Sequence, residues 1–468
     1  MDLVINANKD QQKELVLIIS QIIHSIIKHF SFIPSLLFKP VTFLLLASLF
    51  SFGQQTKDSI KNKKSISVEM TLGKTFNSNA NFPNTKLQKG LFFSFGTSHL
   101  ANNTEWTRRL NQPTTGILIG ITDFGNTESI GQAITLMPYL EMRLFPKKTN
   151  RWNLLTGYGL SYMNRQFDPV SNPFNKGIST KLNWSFRSLL YYDFLKGTNV
   201  DWRFGFGYIH HSNGHTRLPN QGLNSVVGSV MVKIPAGSEI KDTNQSEIRE
   251  NNLRSIQYYW SLRAGIGQNV LSPIFNDKKE VISVALSGGK VINRTFKFGV
   301  GLYYIFYEHY HDYIVNNEQL VQDLYPYLRE HPKLYASNFG ISGVAELLMG
   351  HVGAEINIGI NFYKPFYKID WQLNDGYTIF NAQGEEIIVL GELDSYYRLK
   401  RTVSSRLGLK WYFINTTKRP KNNIYLGAHL NANLGQANFT ELSVGYVHRF
   451  QEYKRIMPIK KSKNQRKK

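Results

Sequence analysis

Apolar and polar side chains alternate with a period of two residues through much of the chain, and this pattern limits the fold more than any other feature. In residues 295–304, TFKFGVGLYY, the odd positions are small or polar apart from one tyrosine, and the even positions are Phe296, Phe298, Val300, Leu302 and Tyr304. Residues i and i+2 of a β-strand share a face of the sheet, so the pattern predicts strands with one apolar face. The segment around residue 444 repeats it.

A soluble β-sandwich would alternate as well, but three further features favour a membrane barrel. The alternating segments are about 10–14 residues long, which is enough to cross a bilayer at a tilt. Aromatic residues, 13% of the chain, cluster at the ends of these segments, as an interfacial belt requires. Short connections, such as 147–150 and 196–199, alternate with long ones at 165–178, 308–338 and 364–399. The sequence therefore predicts an all-β fold, an antiparallel transmembrane outer-membrane β-barrel with about 12–16 strands in total.

The sequence also predicts export and a division of the chain. A basic flank precedes the apolar run VTFLLLASLFSF at 41–52, which is too short to span a bilayer comfortably and is typical of an export signal. The polar connection in the middle of the chain leaves one barrel and two eight-stranded halves as alternatives, because no clear repeat is present. The predicted parts are an N-terminal extension with export signal (1–53), a first set of strands (54–236), a polar connection (237–257), further strands (258–450) and a basic tail (451–468).

Composition excludes several classes of function. The chain has no cysteine, which excludes thiol catalysis and a cysteine-ligated metal site. The net charge of +22 suits an anionic lipid, whereas a nucleic-acid partner is not expected of an exported chain. No phosphate loop or dinucleotide fingerprint occurs, so we expect neither a cofactor nor a metal.

The strand predicted at 200–212, VDWRFGFGYIHHS, carries the strongest candidate site. Its even positions begin with aromatic residues and end with His210 and Ser212, so these two side chains are expected on the lipid-facing side. The span from Trp202 to Ser212 covers roughly 34 Å along the strand, or about 24 Å along the membrane normal at 45° tilt. Because a short turn precedes Trp202, Ser212 is expected at the outer interface of the membrane.

The next predicted strand, 222–234, places Asn224 on the same side as His210 and Ser212. A serine hydroxyl beside a histidine, with a third polar group to orient the imidazole, is the arrangement used for nucleophilic acyl transfer. The alternative is a polar patch in the interfacial belt, where such residues need no chemical role.

The segment HHSNGHTRLPNQGLN at 210–224 resembles the lipid A 3-O-deacylase (PagL) family, also called acyloxyacyl hydrolases. The resemblance covers roughly residues 65–236, the first eight predicted strands. It implies an outer-membrane barrel that removes an ester-linked acyl chain from lipid A through a Ser–His–Glu triad on its outer face. It also implies an integral outer-membrane location and a lipid partner, lipid A or another acylated lipid of the outer leaflet, and it leaves the oligomeric state open.

Carried over residue by residue, the resemblance makes Ser212 the nucleophile and His210 the general base. Asn213 and Asn220 match the positions associated with the oxyanion hole, and Gly222 matches the glycine between loop and strand. The acid of the family falls on Asn224, a departure, since an amide can fix the histidine tautomer but cannot stabilise an imidazolium by charge. The alternatives are a non-catalytic barrel, either a porin or a structural protein, and an acyltransferase that uses the same acyl-enzyme.

Overall fold

The computed structural model describes residues 63–456 apart from 80, 101, 103, 146–148, 150, 198–199, 236–252, 375–376, 381–385 and 390–393. The predicted export signal, most of the predicted polar connection and residues 457–468 of the predicted basic tail lie outside the described residues. No helix in the described part of the chain is both long and apolar enough to span a membrane.

The strands form two closed antiparallel barrels of eight strands each, which belong to one compact unit. The predicted fold class is confirmed. The sequence left one barrel and two eight-stranded halves as alternatives, and the structure has two barrels. The first barrel closes by pairing β1 with β8, and its strands are β1 Lys63–Thr75, β2 Gln88–Ser98, β3 Thr114–Asp123, β4 Gln132–Leu144, β5 Trp152–Met163, β6 Leu182–Lys196, β7 Asp201–Ser212 and β8 Leu223–Pro235.

The second barrel closes by pairing β18 with β9, and a separate two-stranded sheet of β14 and β15 lies within one of its connections. Its strands and that sheet are β9 Leu253–Asn269, β10 Lys279–Ile292, β11 Phe296–Tyr307, β12 Ser337–Met349, β13 Val352–Tyr363, β14 Tyr377–Phe380, β15 Glu386–Val389, β16 Val403–Tyr412, β17 Asn422–Asn433 and β18 Gln436–Ile456. The last strand thus continues six residues past the predicted boundary at 450.

Short helices occupy several connections between strands. The 3-10 turns are Pro326–Glu330 and Thr416–Lys418, and the α-helices are α1 Glu105–Arg109, α2 Glu308–Val315, α3 Gln319–Asp323, α4 Pro332–Tyr335, α5 Tyr367–Leu373 and α6 Asp394–Thr402. We call the end of the barrels that carries the connections 164–181, 213–222, 308–336 and 364–402 the outer end. The long loops predicted from the sequence all lie there, whereas the connection 99–113 with α1 is a long one at the opposite, inner end.

The interior of the first barrel is filled, not open. Leu118, Leu189 and Tyr191 are fully buried in its apolar core. Beside them the buried Arg187 guanidinium donates to Glu69 over 2.8 Å, and the Tyr191 hydroxyl donates to the same carboxylate over 2.6 Å. Buried charges are tolerated only when they are paired in this way. Buried, paired side chains of this kind occupy the middle of the first barrel.

Paired charges also cross the interior of the second barrel. Lys297 and Lys410 both donate to Glu346, over 2.9 and 3.0 Å, and Lys410 also contacts Glu355. Arg406 joins Glu355 to Glu441. At the outer end, aromatic and aliphatic side chains of α2, α5 and neighbouring strands form an apolar cap over this network. Lys297 is therefore paired inside the barrel.

Candidate active site

The exposure of β7 follows the predicted alternation. Arg203, Ile209 and His211 are buried inside the first barrel, whereas Trp202 and Phe206 are exposed on its lipid-facing surface. The buried His211 Nδ1 forms a 3.0 Å hydrogen bond with Ser161 Oγ, and its ring meets Phe124 edge-on. His211 is thus an interior histidine, and its neighbour His210 lies on the outer face.

His210 and Asn224 are direct partners in the pairing of β7 with β8. His210 Nδ1 lies 2.7 Å from Asn224 Oδ1, and the Tyr208 hydroxyl donates to the same oxygen. Because an amide oxygen only accepts hydrogen bonds, His210 carries its proton on Nδ1. The lone pair is then on Nε2, the tautomer that a general base for a neighbouring hydroxyl needs.

Ser212 is covered by the connection 213–222, which we call the site loop. Its Oγ accepts hydrogen bonds from Asn220 Nδ2 over 3.0 Å and from the Gly214 N–H over 3.3 Å. The serine is only 4% exposed, because this loop folds back over the end of β7. The sequence predicted a lipid-exposed serine, since strand parity says nothing about a loop that returns over it. Within the described residues no hydrogen bond joins Ser212 to His210.

Asn213 and Asn220 differ in what their side chains do. The Asn213 amide is buried and organises the site loop: it donates to Arg217 O over 2.6 Å and accepts from the His215 N–H over 2.9 Å. Asn220 Oδ1 accepts from the Asn213 N–H over 2.9 Å, which leaves Nδ2 facing Ser212. The two donors beside Ser212 Oγ are therefore Asn220 Nδ2 and the Gly214 N–H.

Gly222 fixes the position of the imidazole. Its φ of +75° is in the left-handed region, and a Cβ there would lie 2.7 Å from His210 Cε1. We expect Gly222→Ala to displace the ring and lower the rate of catalysis about 10- to 100-fold, since a shift of about 1 Å is enough for such a loss. Steady-state kinetics of the purified variant measures this.

Gly435 provides the matched control for that change. It has a φ of +88°, but a Cβ there would meet no atom within 4 Å. Gly435→Ala thus introduces similar backbone strain in the second barrel without touching the candidate site. Equal rates for the two variants would show that strain, and not displacement of His210, explains any loss.

The second barrel contains a similar trio without a serine. Tyr446 and His448 both hydrogen bond to Asn422 Oδ1, each over 2.8 Å, and Asn422 pairs with His448 across β17 and β18. The position two residues after this histidine is Phe450, where the first barrel has Ser212. This trio lacks the hydroxyl that nucleophilic acyl transfer needs, so Asn422 offers a control for Asn224.

Sequence reasoning missed two contributors to the site. Tyr208 shares the strand face of His210, so its contact with Asn224 was available from the same parity. The contact of the Gly214 N–H with Ser212 could not be predicted from parity, because the direction of this N–H depends on the positive φ of +68° that Gly214 adopts. Among the described residues, no group of histidine, aspartate and glutamate side chains is arranged to hold a metal ion.

A match to a known protein family covers the part of the chain that carries this site. Residues 68–233 match the model of a family described as lipid A 3-O-deacylase (PagL). No curated protein sequence matches the chain significantly.

Solved structures of outer-membrane barrels also match, but only distantly. The outer membrane enzyme PagL is 19% identical, covers 36% of this chain and 99% of its own, and gives a TM-score of 0.26. A variant porin of Rh. blastica (10% identity, 83% and 99% coverage, TM-score 0.17) and an outer membrane channel from Pseudomonas putida F1 (12%, 85% and 100%, 0.15) also match. No functional argument rests on likenesses this distant.

The barrel fold and the family match indicate an outer-membrane protein. The matched residues run from β1 to β8, so they span the first barrel and contain all the candidate site residues. The resemblance of this barrel to the lipid A 3-O-deacylase (PagL) family, drawn from the sequence of residues 210–224, is thus confirmed over residues 68–233.

Proposed function

We propose that the first barrel is an outer-membrane esterase that removes an ester-linked acyl chain from lipid A, with Ser212 as nucleophile, His210 as general base and Asn224 as the group that orients it. One observation carries the proposal: Asn224 accepts the Nδ1 proton of His210 on the lipid-facing surface, two residues along the same strand from Ser212. Nε2 is thereby left free to take a proton from the serine.

The first half of the reaction uses groups already in place. A change of the Ser212 χ1 rotamer turns Oγ from Asn220 towards His210, which lies on the same strand face. His210 Nε2 takes the hydroxyl proton as Oγ attacks the ester carbonyl carbon. Asn220 Nδ2 and the Gly214 N–H, which now face Oγ, are then free to donate to the oxyanion.

Collapse of the tetrahedral intermediate completes acyl transfer. The carbon–oxygen bond to the sugar breaks, and His210 gives its proton to the departing sugar oxygen. Water then attacks the acyl-enzyme with His210 again as base, releasing a fatty acid and restoring Ser212. Asn224 keeps the imidazole in place throughout, but supplies no charge to the imidazolium.

The filled interior of the first barrel favours an enzyme over a porin. There the buried ion pair of Arg187 with Glu69 occupies the space where a pore would run. In the second barrel ion pairs such as that of Lys410 with Glu346 cross the interior beside a cavity of about 750 Å³. We expect no steady conductance when the refolded protein is added to planar bilayers.

The direct test is incubation of the purified protein with lipid A in detergent micelles. We expect free fatty acid and a lipid A product lighter by one acyl chain. A phospholipid carrying the lost chain, in place of free fatty acid, would identify an acyltransferase. Unchanged lipid A together with ion conductance would overturn the proposal in favour of a porin.

A further inference from the structure

The site loop, residues 213–222, is held by the second barrel as well as by the first. The Val270 N–H, just after β9, donates to His215 O over 3.2 Å. Thr440 Oγ1 of β18 accepts a 2.9 Å hydrogen bond from Trp184 Nε1, beside the same loop. The loop that covers Ser212 therefore lies between the two barrels.

Asn276, in the outer connection between β9 and β10, makes the most specific of these contacts. Its Oδ1 accepts from the Leu218 N–H over 2.8 Å, and its Nδ2 donates to Leu218 O over 2.7 Å. The side-chain amide thus satisfies both main-chain groups of one residue, as a neighbouring strand would. Each of these hydrogen bonds has a defined direction, so together they fix both the position and the orientation of Leu218.

Asn276 itself is presented by a rigid segment. The N–H groups of Leu271 and Ser272 both donate to Phe275 O, over 3.1 and 3.3 Å, and close a tight turn directly before Asn276. The Phe275 ring packs edge-on against Tyr313 of α2, with ring centres 5.3 Å apart, at the margin of the apolar cap. The second barrel therefore offers this amide from a fixed point.

The loop is also shaped to receive the second barrel. A Cβ on Gly214 would lie 2.2 Å from Thr440 Oγ1 and 3.0 Å from Leu430 Cδ1, so only glycine permits this approach. Burial between the barrels, with a smaller effect of nearby Lys400, lowers the pKa of His215 to about 4. His215 is accordingly neutral where it meets the second barrel.

Leu218 lies two residues before Asn220, whose amide holds Ser212 Oγ and the Asn213 N–H. We propose that Asn276 is a positioning residue for the esterase site: the second barrel fixes Leu218 and thereby sets where Asn220 points. The inference rests on the proposed function of Ser212 and gives the second barrel a role in the chemistry of the first. Asn276 does not contact the reacting atoms.

Asn276→Ala tests this directly in the full-length protein. We expect kcat on lipid A to fall about tenfold, in line with the loss of two hydrogen bonds, with KM changed less than about twofold. Asn276→Asp is nearly isosteric but sets a second oxygen against Leu218 O, so it should be no better than alanine. Wild-type kinetics in Asn276→Asp would mean that the side chain only fills space, and would overturn the proposal. Asn422→Ala, at the inner end of the same barrel, is the control and should match wild type.

Hydrogen exchange gives a readout that does not depend on the esterase. In Asn276→Ala the Leu218 amide loses its acceptor, and we expect its exchange to accelerate about tenfold while amides of β7 are unchanged. An unchanged exchange rate of the Leu218 amide would show that Asn276 does not hold Leu218. Faster exchange in an Asn276→Ala variant with wild-type activity would confirm the contact but refute its role in catalysis. An inactive wild-type protein would refute the esterase itself, and with it the inference.

Discussion

Ser212→Ala and His210→Ala are each expected to reduce deacylation by about 10³- to 10⁶-fold, because nucleophile and base act as a unit. Neither change should unfold the barrel. Ser212 lies at the end of β7 under the site loop, and His210 is on the outer face, so neither supports the packed interior. Rates on lipid A, with heat-modifiable migration on gels as the check on folding, measure both effects.

The interior neighbour His211 distinguishes chemistry from structure. His211→Ala removes a hydrogen bond to Ser161 inside the barrel, so it should lower stability while leaving the rate of the folded fraction much closer to wild type. Loss of activity in His211→Ala with full activity in His210→Ala would mean that the outward face of β7 has been assigned to the wrong residues.

Asn224→Ala should have the next largest effect, a loss of about 10²- to 10⁴-fold. Without the amide oxygen, His210 loses the acceptor for its Nδ1 proton, and the wrong tautomer is no longer disfavoured. In a serine protease triad the wrong tautomer lowers kcat about 10⁴-fold. Kinetics of Asn422→Ala is the matched control, since it breaks the similar trio that lacks a serine. Equal, small effects in both variants would make Asn224 a bystander.

Asn224→Asp tests why an amide stands where the related family has an acid. A carboxylate would keep the acceptor for His210 and also stabilise the imidazolium, so we expect a rate equal to or above wild type. Partial burial of this position disfavours the charged form of the new carboxyl group and so raises its pKa. The gain should therefore be larger at alkaline pH than near pH 6, and a pH–rate profile shows it. A variant slower than wild type at every pH would contradict this account of Asn224.

Much of the fold could be predicted because the residues of a strand alternate between its two faces, so the pattern of apolar and polar residues shows which face is exposed. The exposed Trp202 and Phe206 against the buried Arg203 and His211 reproduce the predicted parity, and the strand pairing sets His210 opposite Asn224. Which strands close each barrel could not be predicted in the same way. The pairs β1–β8 and β9–β18 join distant strands by main-chain hydrogen bonds, which leave no local signal.

The contacts around Ser212 could not be predicted from the sequence for a related reason. Strand parity orients side chains, but it does not show that Asn220 returns to Ser212 or that Asn213 turns into its own loop. Those contacts depend on left-handed residues in the loop and on Asn276 from the other barrel. Local geometry set by distant packing has no periodic pattern to reveal it.

Mass spectrometry of lipid A from cells that carry the protein in their outer membrane tests the central claim most directly. With the wild-type chain, we predict that lipid A loses the mass of one ester-linked acyl chain, whereas cells with equal amounts of folded Ser212→Ala keep it intact. Intact lipid A in cells with abundant, folded wild-type protein, or the same loss of mass with Ser212→Ala, would contradict the account.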